Sequence, residues 1–133
     1  LLLIMEAVVG AGVPHCVLMS AYGVGDTVRS ASFLMRVACK TIMRSIFRDR
    51  AKADAMVAKY QPYISRALPG RLTDEPGKGG AKVVDVTSVA HVPGIPTIAR
   101  EDVADALLDI AGDPLNAGTD FLVTIEDVVI RAA

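Results

Sequence analysis

The sequence predicts an α/β fold, a parallel sheet packed by helices. Helix-like and strand-like stretches alternate along the chain, which is the order expected of such a sheet with right-handed crossovers. The strand candidates are solid apolar runs, as in strands buried on both faces. Apolar residues make up 52% of the chain and aromatic residues only 5%, so the core must be aliphatic. At 133 residues the chain fits a single domain, 1–133. A chain of this size buries roughly two-thirds of its unfolded surface, enough for one core.

Leu1 to about Ala11 reads as a helix that is apolar nearly all round and ends at Gly10 and Gly12. Pro14 opens the next element, and His15–Ser20 (HCVLMS) is a short buried strand. Gly23 and Gly25 mark a turn-rich loop over 21–27. From about Ser30 to Lys59 there is no Gly or Pro, and Leu34, Val37, Ala38, Ile42 and Ile46 recur at helical spacing. Ser30 is the expected N-cap. This stretch is one long helix, or two joined near Asp49.

Tyr63–Leu68 is the second strand. Pro69, Gly70, Pro76, Gly77, Gly79 and Gly80 make 69–81 a loop. Val83–Val86 is a weak strand and Val89–Pro96 another loop. Ile98–Arg100 leads into a helix over Glu101–Ile110, whose acidic first turn suits the helix dipole. Gly112 and Pro114 end it. Phe121–Ile125 is the last strand candidate.

Composition removes several function classes. The longest uncharged apolar start, Leu1–Met5, stops at Glu6, far short of the ~18 residues a membrane span needs. No basic region precedes it, so it does not read as a signal peptide. Cys16 and Cys39 lack metal or scaffold spacing, which leads us to expect reduced thiols and a cytoplasmic protein. His15 and His91 have no metal-like neighbours, so no metal site is expected. A net charge of −1 argues against nucleic acid as a partner. The chain opens on Leu1 instead of Met and is expected to be a truncated or excised segment.

Residues 63–76, Tyr-Ile-Ser-Arg-Ala-Leu-Pro-Gly-Arg-Leu-Thr-Asp-Glu-Pro, carry the most information. An apolar strand breaks at Pro69-Gly70 into a polar loop. With Val17-Leu-Met-Ser-Ala-Tyr22 and Ile98-Ala-Arg-Glu-Asp-Val-Ala104, this run resembles the NAD(P)H-binding branch of the atypical short-chain dehydrogenase/reductases, the branch of the biliverdin-IXβ/flavin reductases. The resemblance implies the C-terminal part of a Rossmann-type doubly wound parallel sheet. The glycine-rich phosphate loop of that family is absent from the sequence, and its place would lie upstream of Leu1.

Several site residues are carried over from the resemblance. Ser20 ends the first strand, where open α/β sheets place their ligands, and is the expected catalytic hydroxyl beside the nicotinamide. Met19 and Ala21 flank it as cofactor contacts. Tyr22 lacks the Lys four residues on that a proton-relay tyrosine needs; Asp26 stands there, so packing is the expected role of Tyr22. The family's Asp-Lys-x-x-x-Glu corresponds to Asp49, Arg50 and Asp54, and Arg50 could reach a ribose or a carboxylate. Pro69, Gly70, Arg71 and Leu72 are expected beside cofactor or substrate, with Gly70 permitting close backbone approach. Asp102 is expected to be structural.

The resemblance thus implies NADP or NAD as cofactor and hydride transfer to a small flavin- or quinone-like substrate in the intact protein. The chain alone is expected to be inactive. Two other classes stay open: a non-catalytic regulator or assembly factor on the same fold, and an interaction domain using a basic stripe of Arg36, Lys40, Arg44, Arg48 and Lys52. The first strand is expected at an open sheet edge, with a homodimer through that edge.

Overall fold

A computed structural model describes residues 1–23, 27, 29–41 and 44–131. Its core is a four-stranded sheet in the order β1 (Cys16–Met19), β2 (Ile64–Pro69), β7 (Asp120–Thr124), β4 (Lys82–Asp85). The first three strands are parallel, with Cys16 opposite Ile64 and Ala67 opposite Phe121. The fourth runs antiparallel, with Val83 opposite Val123. The α/β class holds, and the weak strand near Val83 turns out to be an antiparallel edge. At the other edge lies β1.

Helices cover both faces. Helix α1 (Leu2–Gly10) lies beside β1 and β2, where Met5 packs with Ile64. On the same face, α2 (Phe33–Lys40) lays Met35 against Leu68 and Leu122, together with Tyr22, Val89 and Val92. Helix α4 (Arg100–Gly112) covers the opposite face, packing Val103, Ala106 and Ile110 on Ala67, Phe121 and Val123. Strand side chains alternate between faces, so neighbouring residues of one strand serve different layers.

The long helical stretch is two helices, α2 and α3 (Arg44–Val57), parted around Thr41 rather than at Asp49. Its start differs as well. The Ser32 hydroxyl accepts from the Met35 N–H at 3.2 Å, so Ser32 is the cap. Ser30 instead donates to the Thr27 carbonyl at 3.0 Å inside the preceding loop. Both serines have cap chemistry, and only the tertiary position of the loop chooses between them. The break also divides the basic stripe: Arg36 lies on α2, and Arg48 and Lys52 on α3, all exposed. The side chains of Lys40, Arg44 and Ile46 lie outside the described set, as do residues Gly25, Asp26 and Ile42.

Two stretches expected as loops contain short strands. Strand β3 (Arg71–Thr73) pairs in parallel with β6 (Thr97–Ala99). Strand β5 (Val89–His91) pairs with β8 (Val129–Ile130). Helix α4 starts at Ala99 without a side-chain cap. Its acidic first turn holds the glycine loop instead. Asp102, buried, accepts from the N–H groups of Lys78 (3.1 Å) and Gly79 (2.8 Å), and Glu101 accepts from Gly77 at 2.7 Å. Asp102 thus has the structural role expected of it. No helix among the described residues is long and apolar enough to cross a membrane.

Candidate functional site

The carboxyl ends of β1 and β2 sit side by side, and their loops are stitched together. The Ser20 N–H donates to Ala67 O and the Tyr22 N–H to Pro69 O, both at 2.9 Å. The structure therefore brings Met19, Ser20 and Ala21 next to Pro69 and Gly70 at one end of the sheet. Met19 faces outward at the β1 edge, 39% exposed.

Ser20 is 2% exposed. Its hydroxyl donates to Asp54 on α3, at 2.8 Å to Oδ2 and 3.1 Å to Oδ1. Arg50, one turn earlier on α3, donates from Nη2 to the Ser20 carbonyl at 3.3 Å. The i, i+4 spacing places Arg50 and Asp54 on one helix face, so α3 grips the strand end from both sides of one residue. Asp54 also meets Arg66 Nη1 at 3.4 Å. Arg66 in turn donates from Nε to Asp120 Oδ1 at 2.9 Å and from Nη2 to Asp120 Oδ2. Ser20, Asp54, Arg66 and Asp120 form one chain of hydrogen bonds and an ion pair, running from the end of β1 to β7. Bidentate pairing and an additional carboxylate keep the Arg66 guanidinium fixed.

Asp120 has no local signal in the sequence. It pairs with Arg66 because β2 and β7 are parallel neighbours in a register that sets these two residues opposite each other.

Tyr22 is buried in the core, and its hydroxyl meets Ser30 Oγ at 2.8 Å. That is a packing role. Gly70 also has a steric reason within the fold. A Cβ at this position would stand 2.3 Å from the Pro96 carbonyl oxygen, and the next N–H, of Arg71, donates to that same oxygen at 2.8 Å. The close approach that Gly70 allows is to the backbone at Pro96. The Arg71 side chain is exposed and Leu72 is half-buried on β3.

A cleft of about 580 Å³ opens on the α3 face of the sheet. Asp54, Arg66 and Asp120 form its charged base, while Ala51, Ala55, Leu68 and Val86 give it apolar walls. Thr27, Arg29, Ser30, Ala58, Thr87 and Arg131 complete its lining. Arg71 is not among these residues. His15 lies elsewhere, its Nε2 2.9 Å from Ser65 Oγ. Among the described residues no group of three His, Cys, Asp or Glu is arranged to hold a metal.

Residues 2–114 match the NAD(P)H-binding family. The chain belongs to that family. Solved structures share its fold at low identity. A short-chain dehydrogenase/reductase from Veillonella parvula superposes with a TM-score of 0.73 at 17% identity, over 91% of this chain and 55% of that one. ChuY from Escherichia coli gives 0.71 at 20% identity, over 93% of this chain and 63% of that one. A second ChuY structure, described as an anaerobillin reductase, gives 0.70 at 19% identity, over 93% and 56%. The chain therefore spans between 55% and 63% of the length of these three structures. A search of curated proteins finds no match. The chain thus shares the fold of those structures, and its family is NAD(P)H-binding.

Arg50 presents an exposed guanidinium at the strand end. The pyrophosphate needs backbone N–H groups at a glycine-rich helix start. No Gly-x-x-Gly-x-x-Gly occurs in the sequence.

Proposed function

We propose that the chain is the C-terminal portion of an NAD(P)H-dependent reductase domain, forming the nicotinamide-side wall and the substrate cleft. The observation that carries this reading is the stitched pair of strand ends, Met19–Ala21 against Pro69–Gly70, gripped by Arg50 and Asp54 from α3. The bound cofactor supplies a hydride, and the protein positions it. Ser20, expected as the catalytic hydroxyl, is assigned the part its hydrogen bonds leave open. Its proton goes to Asp54, so its oxygen remains to accept from a carboxamide N–H. Arg50 holds the Ser20 carbonyl and offers further N–H groups to the ribose. Pro69, Gly70, Arg71 and Leu72 form the loop beside the ring. The substrate is a small flavin- or quinone-like acceptor, and the compartment is the reducing cytoplasm. A homodimer through the β1 edge is part of the same proposal, since an open edge offers unpaired backbone groups.

The test is fluorescence titration with NADPH and NADH, on the chain and on its reading frame extended upstream. Weak binding by the chain, with tight binding and turnover by the extended protein, is the expected result. Sub-micromolar binding by the chain alone would overturn the division of the cofactor site. Tight binding without turnover by the extended protein would favour a regulator on the same fold. A clean monomer by light scattering at high concentration would remove the dimer.

A further inference from the structure

One carboxylate oxygen serves two donors at the strand end. Asp54 Oδ2 accepts from the Ser20 hydroxyl at 2.8 Å and also faces Arg66 Nη1 at 3.4 Å. Ser20 and Asp54 are both buried, so water has little access to either group. The hydroxyl and the cation therefore draw on the same acceptor, and Asp120 decides the division. It takes the guanidinium by its Nε/Nη2 edge, with Nε at 2.9 Å from Oδ1 and Nη2 on Oδ2. A planar fork held at two points along one edge fixes where its third nitrogen points. Nη1 is left at 3.4 Å from Asp54, well beyond the ~2.7–2.9 Å of a strong charge-assisted hydrogen bond. Asp54 thus keeps its short bond for Ser20. The arrangement comes from the register of β2 and β7, which sets Arg66 opposite Asp120, and from the docking of α3, which carries Asp54.

We propose that Asp120 is a positioning residue for Ser20, acting through Arg66 and Asp54 rather than by direct contact. Without the Asp120 charge the guanidinium closes on Asp54. A two-point pair there occupies Oδ2 and releases the Ser20 hydroxyl. A hydroxyl that donates to Asp54 presents its oxygen as an acceptor, whereas a released one turns and presents either its oxygen or its proton. A carboxylate on β7 thus sets the polarity of a hydroxyl at the end of β1, two strands away. The effect is electrostatic, since Asn at position 120 would preserve the shape and remove the charge. Its consequence for the cofactor rests on the reductase reading; the orientation of the hydroxyl does not.

A double-substitution cycle of Asp120→Asn and Ser20→Ala tests this, with urea denaturation of the chain as the first readout. Asp120→Asn should lower the folding equilibrium constant by a factor about fivefold larger in wild type than in the Ser20→Ala background, the size of one hydrogen bond. Arg66→Lys keeps the cation but lacks the two-point fork. It should show the same dependence on Ser20, and it serves in place of Asp120→Asn if that variant does not fold. Asp109→Asn, at an exposed carboxylate on α4, should be additive with Ser20→Ala. The second readout is fluorescence titration of the upstream-extended protein with NADPH. Asp120→Asn should raise the Kd about fivefold, and should not change it in the Ser20→Ala background. A purely structural role would weaken binding equally in both backgrounds. Additive urea losses for Asp120→Asn or, in its place, Arg66→Lys overturn the inference, as does an NADPH effect of equal size with and without Ser20. Coupled urea losses in a chain whose extended form binds no NADPH would support the positioning of Ser20 and defeat the reductase reading.

Discussion

The two faces of the central sheet are built on opposite principles, and adjacent residues of β2 show the contrast. Ala67 and Leu68 are both fully enclosed, yet Ala67 belongs to the layer under α4 and Leu68 to the layer under α2. The α4 layer is aliphatic apart from Phe121, with Ile98, Val103, Ala106, Ile110 and Val123 closing against one another. Packing of this kind is non-directional and tolerates many sequences of the right volume. The α3 side places Asp54, Arg66 and Asp120 at the sheet surface and leaves a cleft beside them. Charges there require fixed partners, because desolvation is costly unless every group is matched. One face therefore holds the fold, and the other spends apolar burial on a polar cavity. A sheet can host a site only where it forgoes some packing.

Substitutions can break or sharpen that contrast. The largest stability loss is expected from Ile110→Ala on the α4 face. Ile110 is 1% exposed, and removing its side chain should cost about 2–5 kcal/mol. Chemical denaturation measures it, and a loss below about 1 kcal/mol would show that the α4 layer is not what holds the fold.

Next is Arg66→Ala. It leaves Asp54 and Asp120 facing the same space without a cation, and should cost about 2–3 kcal/mol. That is below the loss for a fully buried pair, because the Arg66 side chain keeps 29% of its exposure. A double substitution, Arg66→Ala with Asp120→Ala, should recover part of the loss, since it removes one unpaired carboxylate. Additive losses in urea denaturation would indicate that the pair contributes nothing beyond its separate parts.

Ser20→Ala should have a smaller effect, about 1–2 kcal/mol, from the hydrogen bonds lost to the Asp54 carboxylate. In the upstream-extended protein it should also lower turnover with NADPH while Asp54→Asn, which still accepts from the hydroxyl, retains most of it. Unchanged kinetics in folded Ser20→Ala would remove Ser20 from the site.

The smallest effect is expected at the exposed pair Lys82–Asp127. The hydrogen bond from Lys82, and then its charge, holds the Asp127 carboxyl below its ordinary value of 3.8. A lowered folded-state value means that the contribution is present above 3.8 and disappears as pH falls through the folded value. Asp127→Asn should therefore melt marginally below wild type at pH 7, and the two curves should merge in acid. A gap that widens in acid would contradict that sign.

Elements with strong local signals were legible. Strands β1 and β2 and helix α4 lie within a residue or two of where apolar runs, acidic residues and Pro/Gly stops place them. The strand-end site was legible only as a position. Ser20 and Arg50 follow one by one from the resemblance, and Ser20 also from the rule that ligands gather at strand ends; that they meet does not. That the Ser20 hydroxyl turns to Asp54 required α3 to be in place. Strands β3 and β5, three residues each, were read as loop because so short a segment has no period to detect. The break between α2 and α3 falls where neither Gly nor Pro marks it.

By itself the sequence determined the aliphatic α/β character, the alternation of elements and the family, because these follow from local composition and short motifs. Tertiary structure alone decided that Arg66 is held between residues 12 positions before it and 54 positions after it. It alone decided that Gly70 is required by Pro96, and that a charged cleft opens beside α3. Each of these depends on parallel strand register and helix docking, which bring together residues whose separation along the chain carries no local signal.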